Sequence, residues 1–221
     1  MRNAVRTLMA SIAAGAVLIP LAPPAQANIL DDIVVAHRAG ATTTYGEGTM
    51  KSYKFSVANK ADILDGDIHW TKDSPNDKDK LGSILVIHDS TLDRITNCKG
   101  KVSSWRWGSI RKKCRTDHGK QPLLRLKDLV AYGKASGKQV AIGLKNGKIS
   151  NAQAKDLWNT IKSSNVQLEA PASRLAALNK VKKLDKADSK HKISYALTSL
   201  GTDGWPSVSK VKSVGKYFHA E

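Results

Sequence analysis

The sequence predicts a (β/α) barrel of the TIM type, and three features lead to that class. Short apolar runs alternate with helix-like stretches, the pattern of parallel strands joined by helical crossovers. Histidine, arginine and aspartate collect at the ends of the apolar runs, where a barrel places its site. Behind a leader-like segment 194 residues remain, enough for one domain with a sizeable core. An open doubly wound sheet shares the alternation and is the competing topology.

The elements follow in chain order. Residues 33–36 are four apolar positions ahead of His37 and read as a buried strand. Residues 49–58 read as a helix, and 63–70 as a strand on which Asp65 and Asp67 share a face because side chains alternate with period two. The polar, lysine- and aspartate-rich stretch 71–82 reads as an exposed loop, and 84–88 as the next strand. After a loop that holds both cysteines come a helix over 126–136, a strand over 139–144 and a helix over 151–163. Strand 166–168, helix 174–184 and strand 192–197 continue the pattern, and 216–220 could begin a seventh strand. Barrels of this type usually take about 250 residues, so the ring is expected to be incomplete toward the C-terminus, with exposed strand edges.

The first 27 residues read as a signal peptide: Arg2 and Arg6 form a basic start, an apolar stretch follows, and Ala25-Gln26-Ala27 has the small-x-small form of a cleavage site. The apolar stretch is short for a membrane span and ends in Pro23-Pro24, so the mature chain is expected to start at Asn28 and to be soluble and secreted. In an oxidising compartment Cys98 and Cys114 are expected to pair; two cysteines alone do not complete a four-ligand metal site. Charge is uneven: residues 28–98 carry 8 Lys+Arg against 11 Asp+Glu, and 99–221 carry 26 against 8. The acidic groups therefore gather where a cation would sit. The basic remainder favours an anionic membrane or wall surface, or is simply solvated, and no aromatic-basic interleaving or finger motif supports specific nucleic-acid binding.

His37-Arg38, Asp65-x-Asp67 and His88-Asp89 carry the chemistry. Two histidines supply a general acid and a general base, paired carboxylates hold a divalent cation, and arginine receives phosphate oxygens with its planar fork. Oxygen ligands suit Ca²⁺ or Mg²⁺. Together the set points to metal-assisted cleavage of a phosphodiester.

The runs Val34-Val35-Ala36-His37-Arg38-Ala39-Gly40, Glu47-Gly48-Thr49-Met50 with Ser52-Tyr53, Leu64-Asp65-Gly66-Asp67-Ile68 with Thr71-Lys72-Asp73, and Val86-Ile87-His88-Asp89-Ser90-Thr91-Leu92-Asp93-Arg94 resemble the glycerophosphodiester phosphodiesterases. That family shows His-Arg, Glu-Asn-Thr, Glu-x-Asp, Thr-x-Asp and His-Asp in this order. Pro122-Leu123-Leu124-x-Leu126 and the cysteine pair look like secreted actinobacterial members. The resemblance implies a TIM-type barrel and metal-dependent hydrolysis of a small-molecule or lipid-derived glycerophosphodiester to glycerol phosphate and an alcohol. It implies His37 and His88 as acid and base, Arg38 and Lys145 at the phosphate, and Asp65 and Asp67 at the metal, where Glu47 either joins the shell or orients Arg38.

Three departures stand out. Asp65 is one methylene shorter than the family's glutamate, and Gly48 replaces an asparagine. Gly143 stands where the family's Glu-x-Lys pattern has a metal-binding glutamate, which weakens the expected hold on an ion; Glu169 at the end of the next strand is a candidate to compensate. These departures leave a catalytically impaired homologue that binds phosphodiesters or anionic surfaces as the alternative. Trp70 could contact a quaternary ammonium, or pack; Trp105 and Trp107, inside the cysteine loop, could cap the site or touch lipid. The alcohol portion of the substrate and the oligomeric state are not specified by any motif.

Overall fold

The computed structural model of the protein describes residues 33–72, 81–188, 190, 193–199, 207, 209, 212 and 217–219. The leader-like segment, Asp73 and most of the loop expected over 71–82 lie outside the described residues.

Eight strands form one sheet: β1 (Val35–Ala36), β2 (Ile63–Trp70), β3 (Ile84–Val86), β4 (Leu124–Arg125), β5 (Gln139–Leu144), β6 (Val166–Pro171), β7 (Ser194–Ser199) and β8 (Tyr217–His219). Strands β1, β2, β5, β6, β7 and β8 run parallel and neighbour one another in chain order. A doubly wound sheet reverses its order part-way, whereas unbroken order with right-handed crossovers keeps winding one way, as in a barrel. Among the described residues no pairing joins β8 to β1, so the ring is open there.

The helices are α1 (Thr42–Tyr45), α2 (Met50–Ala58), α3 (Trp107–Lys113), α4 (Leu126–Ser136), α5 (Asn151–Ile161) and α6 (Leu175–Ala187). Thr49 caps α2 by accepting from the Ser52 amide, and Ser150 with Gln153 closes a reciprocal capping box on α5. Alternation then sorts the two faces of the sheet. Leu64, Ile68, Val140, Ile142, Leu144, Val166 and Leu168 are buried in the main core with Leu129, Leu157 and Leu178 from the helices. The intervening positions Asp65, Asp67, His69, Ala141, Gly143, Gln167 and Glu169 face the other way, giving an inner face of polar and small residues.

Two expectations change. The strand over 84–88 is shorter and runs antiparallel to β2, with Ile68 opposite Val86 and Trp70 opposite Ile84, and it continues the hairpin to β4. β1 and β3 therefore share one edge of β2 while β5 takes the other. The strand expected over 33–36 is not buried as a whole: Ile33, Val34 and Val35 are 43%, 50% and 49% exposed along the open edge of the sheet.

Candidate active site

His37 leaves β1 on a tight turn whose next two residues, Arg38 and Ala39, have φ of 48° and 79°. Left-handed backbone at residues with side chains costs of order 1 kcal/mol or more each. The turn is held from α2, where the Ser52 and Ser56 hydroxyls both donate to the Ala39 carbonyl, at 2.9 and 2.8 Å. It presents the Arg38 amide to Oδ2 of Asp65 at 3.3 Å and places His37 Nδ1 2.8 Å from the same oxygen. A carboxylate accepts, so Nδ1 carries the hydrogen and Nε2 is the working nitrogen. The bond to Asp65 raises the pKa of His37 against the opposing effect of burial, favouring the imidazolium.

Asp67 lies two residues further along the same face of β2 and is buried. Lys145, just past β5, reaches Oδ1 of Asp67 at 3.1 Å, and Arg38 Nε stands 3.9 Å from Oδ2. Burial still pushes the Asp67 carboxyl above the usual range, with Lys145 pulling the other way. Arg38 Nε is itself buried without a hydrogen-bond partner, a donor left over in a site that the sequence assigns to phosphate.

His88 follows β3. Because β3 runs back along β2, with the Ile87 amide on the Asp67 carbonyl at 2.8 Å, His88 returns to the level of the two aspartates. Its Nδ1 donates to Oδ1 of Asp89 at 2.7 Å. Asp89 is held down to about 2, first by its hydrogen bonds from Arg94 and also by His88, so it is an ionised acceptor that fixes the ring and turns Nε2 of His88 to the site. Arg94 in turn contacts both oxygens of Glu47, at 3.1 and 2.9 Å. The buried Glu47 carboxylate is thus taken by Arg94, in a relay that runs through Asp89 to His88. Gly48 has φ of 63°, and a Cβ there would stand 2.9 Å from the Val86 carbonyl, which accounts for glycine in place of asparagine.

Several participants were missed from sequence. His69, next on the Asp65/Asp67 face, donates from Nε2 to the His88 carbonyl at 3.1 Å, and burial lowers its pKa so that it stays neutral. Its place two residues after Asp67 was the available signal. Arg94 and Ser52 lie within the motif runs, but their roles were not legible because their partners are distant in sequence, and Ser56 carried no signal.

Cys98 and Cys114 form the expected disulfide, with Cα atoms 5.4 Å apart. It lies in a second apolar cluster with Leu85, Ile87, Leu92, Val102, Ile110 and Leu123, against which Trp105 and Trp107 pack. Those tryptophans are packing residues here, not a cap on the site, and Trp70 is buried in the main core.

Gly143 lies between Asp67 and Glu169 in one row across three strands. A Cβ on Gly143 would fall 2.2 Å from Oδ1 of Asp67, so the Asp67 carboxylate occupies the space of the missing side chain. Glu169 points to the same inner face. Burial pushes its carboxyl up to about 7; the hydrogen bond from Gln167 opposes this, and the charges of Asp65 and Asp67 add to it. Among the described residues no three ligating side chains already converge, because Asp65 is turned to His37, Asp67 to Lys145 and Glu169 to Gln167. Their carboxylate oxygens are nevertheless the donor chemistry that a hard cation such as Ca²⁺ or Mg²⁺ takes.

Residues 37–199 match the model of the glycerophosphoryl diester phosphodiesterase family. The chain belongs to this family. A glycerophosphodiester phosphodiesterase of Bacillus subtilis is 34% identical over 96 residues, which is 42% of this chain and 30% of that protein. One from Caldanaerobacter subterraneus is 35% identical over 80 residues, 36% of this chain and 29% of that protein. The matched segments thus span less than a third of these relatives. Among solved members of like fold, an Oleispira antarctica phosphodiesterase in complex with the product sn-glycerol-3-phosphate superposes with a TM-score of 0.65 at 11% identity, covering 85% of this chain and 74% of that one. A Galdieria sulphuraria glycerophosphodiester phosphodiesterase gives 0.63 at 14% identity, covering 82% and 70%. The family thus supports the α/β barrel architecture, and its phosphodiesterase chemistry frames the site.

Proposed function

We propose that this chain hydrolyses a glycerophosphodiester to glycerol phosphate and an alcohol. The observation that carries the reading is that His37 and His88 each hold Nδ1 on a carboxylate of their own, Asp65 and Asp89, on either side of the Asp65/Asp67 pair. Such pairing orients both rings and leaves Nε2 of each as the working nitrogen. His88, its ring fixed by Asp89, takes a proton from the attacking water as the water oxygen bonds to phosphorus. His37, kept cationic by Asp65, gives its proton to the alcohol oxygen as the second P–O bond breaks. Arg38 holds the non-bridging oxygens with its unpaired Nε, and Lys145 balances Asp67. A divalent cation, Ca²⁺ or Mg²⁺, held by Asp65 and Asp67 would supply positive charge beside those same oxygens.

The reading extends to location. A disulfide in a basic chain that opens with a leader-like segment supports a secreted enzyme working near anionic membrane or wall polymers.

The test is release of glycerol phosphate from glycerophosphocholine by the purified protein with Ca²⁺, with Mg²⁺ and with chelator. His37→Ala and His88→Ala are each expected to lower kcat by 10²-fold or more, the usual yield of a positioned acid or base. Unchanged turnover in either variant removes the acid-base assignment. Phosphodiester binding without turnover in the wild type makes the chain the impaired homologue that Gly143 suggests.

A further inference from the structure

The geometry points to Glu169 as the carboxylate that replaces the one missing at Gly143, so that the cation of this site is held by Asp65, Asp67 and Glu169 across β2 and β6. The inference rests on the phosphodiesterase reading only for the presence of a cation.

Three observations converge on it. First, register places Asp67, Gly143 and Glu169 opposite one another in a single row, so Glu169 is one strand beyond the empty position and on the same face. Neighbouring strands are about 4.8 Å apart, so Asp67 and Glu169 start about 10 Å apart at the backbone, a gap that a leaning aspartate and a full-length glutamate can bridge through one ion. Second, the gap is open only because residue 143 is glycine. Asp67 already leans into it, with Oδ1 at 2.2 Å from where a Cβ of residue 143 would be, which directs the carboxylate toward β6. Third, Glu169 shares the inner face with Gln167, whose amide donates to Oε1 of Glu169, while Leu168 between them is buried in the core with the helices, so the carboxylate stands on the side of the two aspartates and not in the helical layer.

The rest of the site offers no equivalent. Glu47 is committed to Arg94 and Asp89 to Arg94 and His88. Glu169 is bound by the neutral amide of Gln167, a partner that exchanges for a cation without leaving a charge behind. Reach also balances: Asp65 is shorter than the family's glutamate by one methylene, and a ligand arriving from the more distant β6 carries one more than aspartate would.

Calorimetric titration of the purified protein with Ca²⁺ and Mg²⁺, supported by Tb³⁺ luminescence, reads ion binding without needing turnover. Glu169→Gln, which keeps the shape and an amide for Gln167, is expected to weaken Ca²⁺ binding at least tenfold. Adding Gly143→Glu to Glu169→Gln returns a carboxylate to the row and is expected to recover most of the loss. The far-ultraviolet circular dichroism spectrum in chelator serves as the folding control and is expected to be the same in both variants. Glu169→Gln binding Ca²⁺ as tightly as wild type overturns the inference, and so does a wild type that binds neither ion. A wild type that binds Ca²⁺ through Glu169 yet releases no glycerol phosphate overturns the hydrolytic reading and leaves the inference standing.

Discussion

Glu169 is also the residue at which pH should speak most clearly. Its carboxyl is pushed up to about 7 in the fold, against an ordinary value of 4.5. An unfolded chain releases this proton near 4.5 while the folded chain keeps it to about 7, so the folded state binds more protons in that window and its stability falls as pH rises through it. In chelator, Glu169→Gln removes this penalty and is expected to be more stable than wild type at pH 8 by about 3 kcal/mol, and equal to it near pH 4.5. Urea melts at the two pH values measure this; equal midpoints at pH 8 would contradict the burial of the charge. The candidate residues His37, Arg38, Asp65, Asp67, His88 and Lys145 were legible because each ends or lies on a strand at a position that alternation alone assigns to the inner face. Glu47 was not, since its partner Arg94 lies 47 residues away and belongs to the cysteine loop.

At the scale of elements, α2 works as a clamp. Ser52 and Ser56 are one helical turn apart, so both hydroxyls meet the carbonyl of the strained Ala39. Replacing both by alanine leaves that carbonyl buried without a donor, at about 1–3 kcal/mol, and frees the turn that carries His37 and Arg38. The double variant is expected to lose at least tenfold in kcat/KM while the single variants lose less; full activity in the double variant would show that the turn holds itself. The sheet was read with β3 parallel, because an apolar run of four gives no direction. A clue was present: the connection from β2, residues 71–83, is polar and shows no helical pattern, whereas parallel neighbours are usually joined by a helix. The two-residue β4 and the seven-residue α3 were too short for periodicity to register.

For the whole molecule, the winding of the barrel was legible from alternation and chain order, whereas closure depends on pairings between the two ends of the ring, which no local pattern encodes. The interior is likewise divided in a way that composition does not reveal. One apolar cluster lies between the parallel strands and the helices; a second, stapled by Cys98–Cys114, lies on the far side of β3. His37 and Asp65 follow Ala36 and Leu64 of the first in the chain, whereas His88, Asp89 and Arg94 fall between Ile87 and Ile95 of the second. Loss of the disulfide, which closes a loop of 16 residues' separation, is expected to cost about 3 kcal/mol and to fall on the second cluster. Under mild reduction, activity should therefore vanish while far-ultraviolet circular dichroism stays near its starting value; simultaneous loss of both would mean that the clusters unfold together. The antiparallel return of β3 thereby ties the proposed base to the stapled cluster. A chain whose thiols are still reduced is expected to gain turnover at the pace of disulfide formation, seconds to hours, so the proposed hydrolase would stay silent wherever its cysteines are kept reduced.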